Sequence, residues 1–211
     1  MEKKHIPYGP YEKYFKRPLD FCCALAAILV FSWLYLILTI LGTVFMRGNP
    51  FFTQERPGKN EKIFKLIKFR SMDNRKDKDG NLLPDDIRLN KYGRLLRKTS
   101  LDELPQIFQI FTGKMSIIGP RPALWNQFDL IAERDKYGAN DLRPGLTGWA
   151  QINGRDELPI DVKARFDGEY VEKLSFSFDC KCFFGTILSV LRSDGVVEGG
   201  TGQLEKEKKK Q

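Results

Sequence analysis

Residues 21–46 read FCCALAAILVFSWLYLILTILGTVFM, a run of 26 residues without a charged side chain. As a straight α-helix this segment would extend about 39 Å, which exceeds the roughly 30 Å hydrocarbon core of a bilayer. It is too long for the apolar core of a signal peptide, and no small-x-small cleavage motif follows it. A buried core helix is the alternative, but little else in the chain is apolar enough to surround it. The segment therefore predicts a helix inserted in a membrane.

Both flanks of this segment are basic. Residues 1–20 carry five Lys or Arg side chains, and residues 47–70 carry seven. Because Lys and Arg concentrate on the cytoplasmic side of a spanning helix, two basic flanks favour a re-entrant segment whose ends both stay in the cytoplasm. Ser32, near the middle, could weaken the helix by bonding to a preceding carbonyl, although no proline or glycine at that midpoint bends it. A spanning helix stays open as the alternative.

The composition restricts the partners and the compartment. The chain has 211 residues and a net charge of +8, from 35 Lys and Arg against 27 Asp and Glu. This excess predicts a polyanionic partner, namely nucleic acid, an acidic membrane surface or a phosphorylated substrate. Four cysteines in no regular framework, with His5 as the only histidine, argue against disulfides and a zinc site. The free thiols fit a reducing compartment, so the soluble part is expected in the cytoplasm.

Hydrophobic patterning predicts the elements that follow the apolar segment. Residues 50–56 and 62–70 are rich in β-formers and are separated by Pro57-Gly58-Lys59-Asn60, which is typical of a hairpin. Residues 73–86 are polar and predict a loop. Helical patterns occupy residues 87–98, 104–111, 126–137, 160–173 and 176–191. The last of these is apolar enough to lie either at the membrane interface or in the core.

These patterns predict an α+β fold that is mainly helical. An N-terminal re-entrant membrane helix, a short β-hairpin and interfacial amphipathic helices would surround a small cytoplasmic catalytic domain. The expected division is residues 1–48 for the basic segment and membrane helix, residues 49–194 for the catalytic domain, and residues 195–211 for a disordered tail.

Two adjacent carboxylates, Asp102 and Glu103, lie between the basic residues 97–98 and the motif Gly119-Pro120-Arg121-Pro122. Ser100-x-x-Glu103 has the form of a helix capping box, in which Asp102 would lie in the favourable first turn. A helix N-terminus also attracts phosphate, and carboxylates among cations suit a metal-assisted reaction at phosphate. The motif alone leaves capping and catalysis both open.

Seven short motifs follow one another in order along the chain, and together they resemble the bacterial sugar transferase family, the small monotopic phosphoglycosyl transferases. The similarity covers about residues 11–194. The motifs are KRPxD (16–20), FxQxRPG (52–58), KFRSM (68–72), SLDELPQ (100–106), GPRP (119–122), RPGLTGWAQ (143–151) and NGR (153–155).

The resemblance implies a specific reaction. Such enzymes transfer a sugar 1-phosphate from a UDP-sugar to polyprenyl (undecaprenyl) phosphate, release UMP and require Mg²⁺. The product starts a lipid-linked glycan for a surface polysaccharide or glycoprotein, so downstream glycosyltransferases are possible partners. The expected location is the inner, cytoplasmic membrane with the catalytic domain on the cytoplasmic face. Asp102 would be the nucleophile that forms a covalent phosphosugar intermediate, and Glu103 would position the metal or manage protons.

The resemblance also implies the supporting residues. Arg121 is the first candidate for a phosphate clamp, because a guanidinium can bind two oxygens at once; a surface ion pair is its alternative. Further candidates for substrate phosphate or nucleotide binding are Arg97, Arg143 and Arg155, with solvation or loop-anchoring salt bridges as alternatives. The candidate metal ligands are Asp102, Glu103 and Asp167, the last of which could equally have a surface or helix-start role. Trp149 and Tyr170 fit core aromatics better than uridine platforms.

One position departs from the family pattern. Many members have a Ser-Pro pair that breaks the membrane helix, whereas this chain has Ser32-Trp33. Losing the proline removes the strongest kink-forming element, although the two basic flanks still favour re-entry.

Two readings from other functional classes compete. A membrane-tethered nucleic-acid-binding protein would explain the charge, but the chain shows neither a helix-turn-helix nor an aromatic stacking sheet, so no nucleic acid partner is expected. A non-catalytic membrane scaffold would explain the anchor while treating Asp102 and Glu103 as a helix cap.

Overall fold

The computed structural model of the protein describes residues 5–154 and 158–192. Its longest element is α1 (Lys16–Met46), which follows a π-helical turn at Tyr11–Phe15. The helix ends where Arg47 takes the left-handed conformation, with φ of 51°. Ser32 Oγ donates to Leu29 O at 3.0 Å, as expected from the sequence, but α1 continues through this point without a break. The helix is long and apolar enough to cross a membrane, and its re-entrant arrangement stays a prediction.

The predicted hairpin is confirmed. Strands β1 (Phe51–Pro57) and β2 (Ile63–Phe69) pair in antiparallel register, with Phe51 opposite Phe69 and Pro57 opposite Ile63. The turn between them contains a 3-10 turn at Lys59–Glu61.

The single helix predicted over residues 87–98 is wrong at its start. The chain forms a short helix α2 (Asp85–Arg88) and then α3 (Lys91–Lys98). Asn90 separates them, because its side chain accepts a hydrogen bond from Gly93 N and caps α3. A Cβ at Gly93 would lie 1.8 Å from Ser71 O, so only glycine allows α3 to pack against the chain after β2.

The remaining predicted helices are confirmed with small differences in their ends. They are α4 (Gln106–Phe111), α5 (Phe128–Asp135), α7 (Ile160–Lys173) and α8 (Phe176–Arg192). A short helix α6 (Trp149–Ile152) lies between α5 and α7. Two strands of three residues, β3 (Ser116–Ile118) and β4 (Gly145–Thr147), form a parallel pair that the sequence did not predict. The observed fold is α+β and mainly helical, as predicted.

Buried polar contacts join the first turns of α1 to the rest of the protein. Arg17 donates to Ile110 O at 2.8 Å and to Phe111 O at 2.7 Å, so it satisfies the last carbonyls of α4. Asp20 accepts from Ser116 Oγ at 2.7 Å and from Ile117 N at 3.1 Å. The KRPxD motif therefore joins α1 to α4 and β3.

The far end of α1 contacts the same body of the protein. Tyr92 of α3 donates to Leu38 O at 2.9 Å, and its ring stacks on Phe45 at 5.2 Å. Between the two ends, Tyr35 packs against Phe69 of β2 with ring centroids 5.2 Å apart. The helix therefore lies along α4, the hairpin and α3 over most of its length.

The opposite face of α1 is apolar and exposed. Large exposed side chains on it include Leu29, Val30, Trp33, Leu36, Ile40 and Val44, and α8 adds Phe183, Phe184, Ile187 and Leu188. An apolar surface of this extent is typical of contact with a membrane or another apolar partner. With the composition of α1, it supports membrane association.

Candidate active site

The turn that carries Asp102 and Glu103 lies between α3 and α4. Ser100 takes the left-handed conformation, with φ of 56°, and Leu101–Glu103 forms a single 3-10 turn. The Ser100 side chain makes no capping hydrogen bond, so the predicted capping box is wrong. The reason is that the chain makes only this short turn before Pro105 and α4, and Glu103 turns towards cations from other elements. A non-glycine residue with positive φ two positions before a pair of carboxylates is the kind of strain found at functional sites.

Glu103 is held by two cations. Lys68 Nζ lies 2.7 Å from Glu103 Oε1, and Arg121 Nη2 lies 2.6 Å from the same oxygen. Arg121 Nη1 also donates to Glu103 Oε2 at 3.3 Å. Burial raises the pKa of Glu103, but Arg121 and Lys68 outweigh burial and hold this pKa well below its usual range. Glu103 is therefore ionised and fixed in place.

Asp102 has a different environment. Burial raises the pKa of its carboxyl group, and so does the neighbouring Glu103, whereas Lys68, Arg121 and Arg97 act in the opposite direction. The described residues give Asp102 no ion pair, while Glu103 has two. Within the described residues, Asp102 thus has cations nearby but no ion pair of its own, which leaves its carboxylate available to react.

The structure brings Arg97 and Arg121 to the carboxylates. Both lower the pKa of Asp102, and Arg97 Nε donates to Ser71 Oγ at 3.0 Å. Lys68 joins them, although it was not among the candidate residues selected from the sequence. Its place in KFRSM, one of the seven motifs, was the signal that could have identified it.

Within residues 5–154 and 158–192, no hydrogen bond or ion pair joins Arg143 to Asp102 or Glu103. Arg143 Nε donates to Gly113 O at 2.9 Å, in the loop before β3. This contact agrees with the loop-anchoring alternative, and substrate binding by Arg143 stays a prediction. Arg155 lies outside the described residues, as does the predicted disordered tail at residues 195–211.

Asp167 forms a buried ion pair with Arg134, a residue that the sequence analysis did not select. Arg134 Nη2 lies 2.6 Å from Asp167 Oδ2, and both side chains are almost fully buried. Arg134 Nη1 also donates to the Arg121 carbonyl at 2.9 Å. Burial raises the pKa of Asp167, and Arg134 opposes this. The pair therefore supports the backbone of the GPRP loop from behind.

The two adjacent carboxylates offer part of the ligand set of a metal site. Mg²⁺ prefers carboxylate oxygens, and it is usually held by one or two carboxylates together with substrate phosphates. Asp102 and Glu103 fit this description. No group of three metal-binding side chains occurs within residues 5–154 and 158–192, so Asp167 does not join them there. A metal role for Asp167 stays a prediction.

Tyr170 lies in the core, as expected, and Trp149 is partly buried and packs against that core. Tyr170 is 1% exposed, and its hydroxyl lies 3.0 Å from Ile118 O. Trp149 packs on Phe178 with ring centroids 4.9 Å apart, and Lys181 lies over its ring.

Comparison with known proteins gives a consistent result. The family model for bacterial sugar transferases matches residues 11–193. An uncharacterized sugar transferase of Bacillus subtilis, EpsL, is 42% identical over 86% of this chain and 89% of its own length. The exopolysaccharide production protein ExoY of Rhizobium meliloti is 34% identical over 85% of this chain and 87% of its own length. UDP-N-acetylgalactosamine-undecaprenyl-phosphate N-acetylgalactosaminephosphotransferase of Aeromonas hydrophila is 34% identical over 89% of this chain, which covers 46% of that protein.

Proposed function

Because the chain belongs to the bacterial sugar transferase family, we propose that this phosphoglycosyl transferase moves a sugar 1-phosphate from a UDP-sugar to undecaprenyl phosphate. The products are UMP and a polyprenyl-diphosphate sugar. The Aeromonas hydrophila relative is named for a reaction of this kind. The observation that carries the proposal is the turn in which Asp102 lies among Lys68, Arg97 and Arg121, beside an ionised Glu103.

We propose two displacements. In the first, an Asp102 oxygen attacks the sugar-bearing phosphorus of the UDP-sugar; the Oδ–P bond forms, the P–O bond to UMP breaks, and UMP leaves. In the second, a phosphate oxygen of the polyprenyl phosphate attacks the same phosphorus, and the Oδ–P bond breaks to restore Asp102. Splitting the transfer in this way is the usual benefit of a carboxylate nucleophile.

The cations around Asp102 solve the electrostatic problem of this chemistry. An anionic nucleophile must approach an anionic phosphate, and positioned cations reduce the repulsion between them. The Arg121 side chain is 37% exposed although it binds Glu103, so it lies where an arriving phosphate can meet it. Arg97 of α3 and Lys68 of β2 would act on the nucleophile from two different elements.

Asp102 and Glu103 are the residues that would hold Mg²⁺, which would supply further neutralisation of phosphate charge. Glu103 already accepts from Lys68 and Arg121, so it would also keep the site ordered. Asp167 would contribute by supporting the Arg121 loop through Arg134.

The proposed location follows from the substrates. The nucleotide sugar is a soluble metabolite, so the catalytic domain would face the cytoplasm while α1 holds it at the inner membrane. The lipid-linked sugar would then begin a surface glycan or glycoprotein, and further glycosyltransferases would extend it.

The test measures UMP release from a panel of UDP-sugars in the presence of undecaprenyl phosphate and Mg²⁺. The Asp102→Asn variant should lose activity by about 10³-fold or more, because the nucleophile is removed. Asp86→Asn changes an exposed aspartate and serves as the matched control. Mass spectrometry should find a phosphosugar on the peptide that contains Asp102. Full turnover by folded Asp102→Asn would refute the nucleophile, and a lack of turnover with any UDP-sugar would favour the membrane scaffold.

A further inference from the structure

An apolar cavity of about 130 Å³ lies between α1 and the chain around α4. Ala27, Ile28 and Phe31 line it from α1, and Leu104, Ile107 and Phe108 line it from the other side. Ser32 and Tyr35 complete the lining, and the Ser32 hydroxyl donates to Leu29 O. The cavity therefore suits an apolar ligand.

The cavity adjoins the turn that carries the carboxylates at Leu104, which ends that turn. Leu104 directly follows Glu103, so the wall of the cavity begins where the carboxylates end. Glu103 in turn binds Lys68 and Arg121, so this charged cluster lies at the Leu104 end of the cavity. The apolar part of a ligand would thus fill the cavity, and its head would be attracted if it is a phosphate.

The other side of the cavity borders the apolar surface of α1. Leu29 and Val30, next to the lining residues in the chain, are 68% and 61% exposed. These side chains belong to the surface that supports membrane association. A long lipid chain can therefore continue from the cavity into the bilayer without crossing a polar surface.

We propose that this cavity binds the isoprene units next to the phosphate of polyprenyl phosphate, and so presents that phosphate to the intermediate on Asp102. This inference rests on the proposed function. The cations favour a lipid whose phosphate is anionic and terminal, and the lining offers shape and apolar surface to the first few carbons of its chain. The acyl chains of phospholipids compete for the same cavity, and the test must distinguish them from polyprenyl phosphate.

The experiment uses the full-length protein in nanodiscs and measures both half-reactions. Exchange of labelled UMP into the UDP-sugar reports the first displacement and needs no polyprenyl phosphate. Transfer to undecaprenyl phosphate reports the second. Ala27→Phe fills the cavity, and Val30→Phe places the same ring on the exposed face of the same helix.

Ala27→Phe should lower kcat/KM for undecaprenyl phosphate at least tenfold more than it lowers UMP exchange. Tenfold corresponds to about 1.4 kcal/mol, less than the burial of two methylene groups provides. Val30→Phe should change neither kcat/KM for undecaprenyl phosphate nor the rate of UMP exchange. If Ala27→Phe uses the lipid as well as wild type does, the inference is overturned. A wild-type protein that exchanges no UMP would instead refute the covalent route of the proposed function, and the inference would fall with it.

Photo-crosslinking of the unmodified protein provides a measurement that does not depend on a variant's folding. Polyprenyl phosphate with a diazirine in its first isoprene units should label peptides from residues 27–35 and 104–108. Unlabelled undecaprenyl phosphate should compete, and phosphatidylglycerol at the same concentration should not. Labelling elsewhere, or equal competition by the phospholipid, would overturn the assignment.

Discussion

Asp102 and Glu103 are neighbours in the chain, yet their environments drive their pKa values in opposite directions. Glu103 is clamped by Lys68 and Arg121, which hold its pKa low, whereas burial and the nearby Glu103 raise that of Asp102. Two carboxyl groups whose pKa values are separated by their environment usually have different roles. Glu103 fits an electrostatic support, and Asp102 fits the reacting group.

Lys68 is the residue whose removal tests this division. We predict that Lys68→Met lowers kcat/KM for UMP release by about 10²-fold, because it removes a cation that favours the ionised form of Asp102 and binds Glu103. Lys68→Arg keeps the charge and should retain more activity. Steady-state kinetics with one UDP-sugar provides the measurement, and unchanged kinetics in folded Lys68→Met would show that Lys68 has no part in the reaction.

Arg134 and Asp167 act on the site from a distance. Their buried ion pair contacts the protein chain at the Arg121 carbonyl, two residues after Gly119. A Cβ at Gly119 would lie 2.6 Å from Arg143 O, so the start of this loop is packed tightly against the segment before β4. The Arg134–Asp167 pair therefore fixes the GPRP loop at Arg121, and close packing already constrains the same loop at Gly119.

We predict that Asp167→Asn destabilises the protein by about 3 kcal/mol, because it leaves Arg134 buried without its counter-charge. The Arg121 loop should loosen, which raises KM for the UDP-sugar. Thermal unfolding and kinetics at several Mg²⁺ concentrations measure the two effects. Asp161→Asn, on an exposed part of α7, is the control. A stable Asp167→Asn variant that needs much more Mg²⁺ would indicate a metal ligand instead.

At the scale of elements, Asp179 joins the N-terminal segment, α7 and α8. It accepts from Tyr11 Oη at 2.7 Å, from Lys16 Nζ at 2.7 Å and from Tyr170 Oη at 2.8 Å. The same Tyr170 hydroxyl, with its single proton, also lies 3.0 Å from Ile118 O at the end of β3. The parallel pair, although only three residues long, is thus held both by backbone hydrogen bonds, such as Ser116 N to Pro144 O at 2.9 Å, and by long-range side-chain contacts.

This network predicts a loss of stability at alkaline pH. Burial, and then Asp179, raise the pKa of Tyr170 well above 10. The unfolded chain therefore loses this proton first as the pH rises through about 10, and the free energy of unfolding falls above that pH while it is unaffected by this group below it. Urea unfolding at pH 8 to 11 measures the slope.

Tyr170→Phe should make the alkaline decline shallower, at a cost of about 1 kcal/mol at neutral pH for the lost hydrogen bonds. Tyr14→Phe, which changes a tyrosine that is 61% exposed, should leave the decline as it is. An identical pH profile in Tyr170→Phe would mean that other groups cause the alkaline loss.

The elements that the sequence predicted correctly are those with a strong local pattern. The hairpin and α7 follow from periodicity and turn residues, and both have almost the expected ends. The prediction of a capping box was wrong because the motif is present in the sequence but the backbone does not take the capping geometry. Ser100 has a left-handed conformation, and Glu103 pairs with Lys68 and Arg121 instead. The strands β3 and β4 are too short to produce a pattern, since long-range contacts decide their pairing.

The same distinction between local patterns and long-range contacts applies to the candidate active site. Asp102, Glu103 and Arg121 could be selected from their motifs, because the carboxylates adjoin each other and the arginine lies in a distinct loop. Lys68 could not be placed with them, since its contact with Glu103 spans 35 positions and depends on how the hairpin packs against the turn. The cavity beside α1 likewise arises only when two distant helices meet.

The course of α1 leads to a prediction about topology. Its first turns bind α4 and β3, and its last turns bind α3, so both ends lie against the same body of the protein. We therefore predict that residues before and after the helix lie on the same side of the membrane. A spanning helix would have to break either the Arg17 and Asp20 contacts or the Tyr92 contact, each of which satisfies buried polar groups.

Cysteine labelling in sealed vesicles tests this prediction in a variant without the four native cysteines. Tyr8→Cys and Asn49→Cys, both at exposed positions, place one thiol at each end of α1. An impermeant maleimide should label both in inverted vesicles and neither in right-side-out vesicles, with detergent-opened vesicles as the control for reactivity. If Tyr8→Cys is labelled only in right-side-out vesicles, α1 spans the bilayer. The contacts of Arg17 and Asp20 with α4 and β3 would then have to be absent in the membrane.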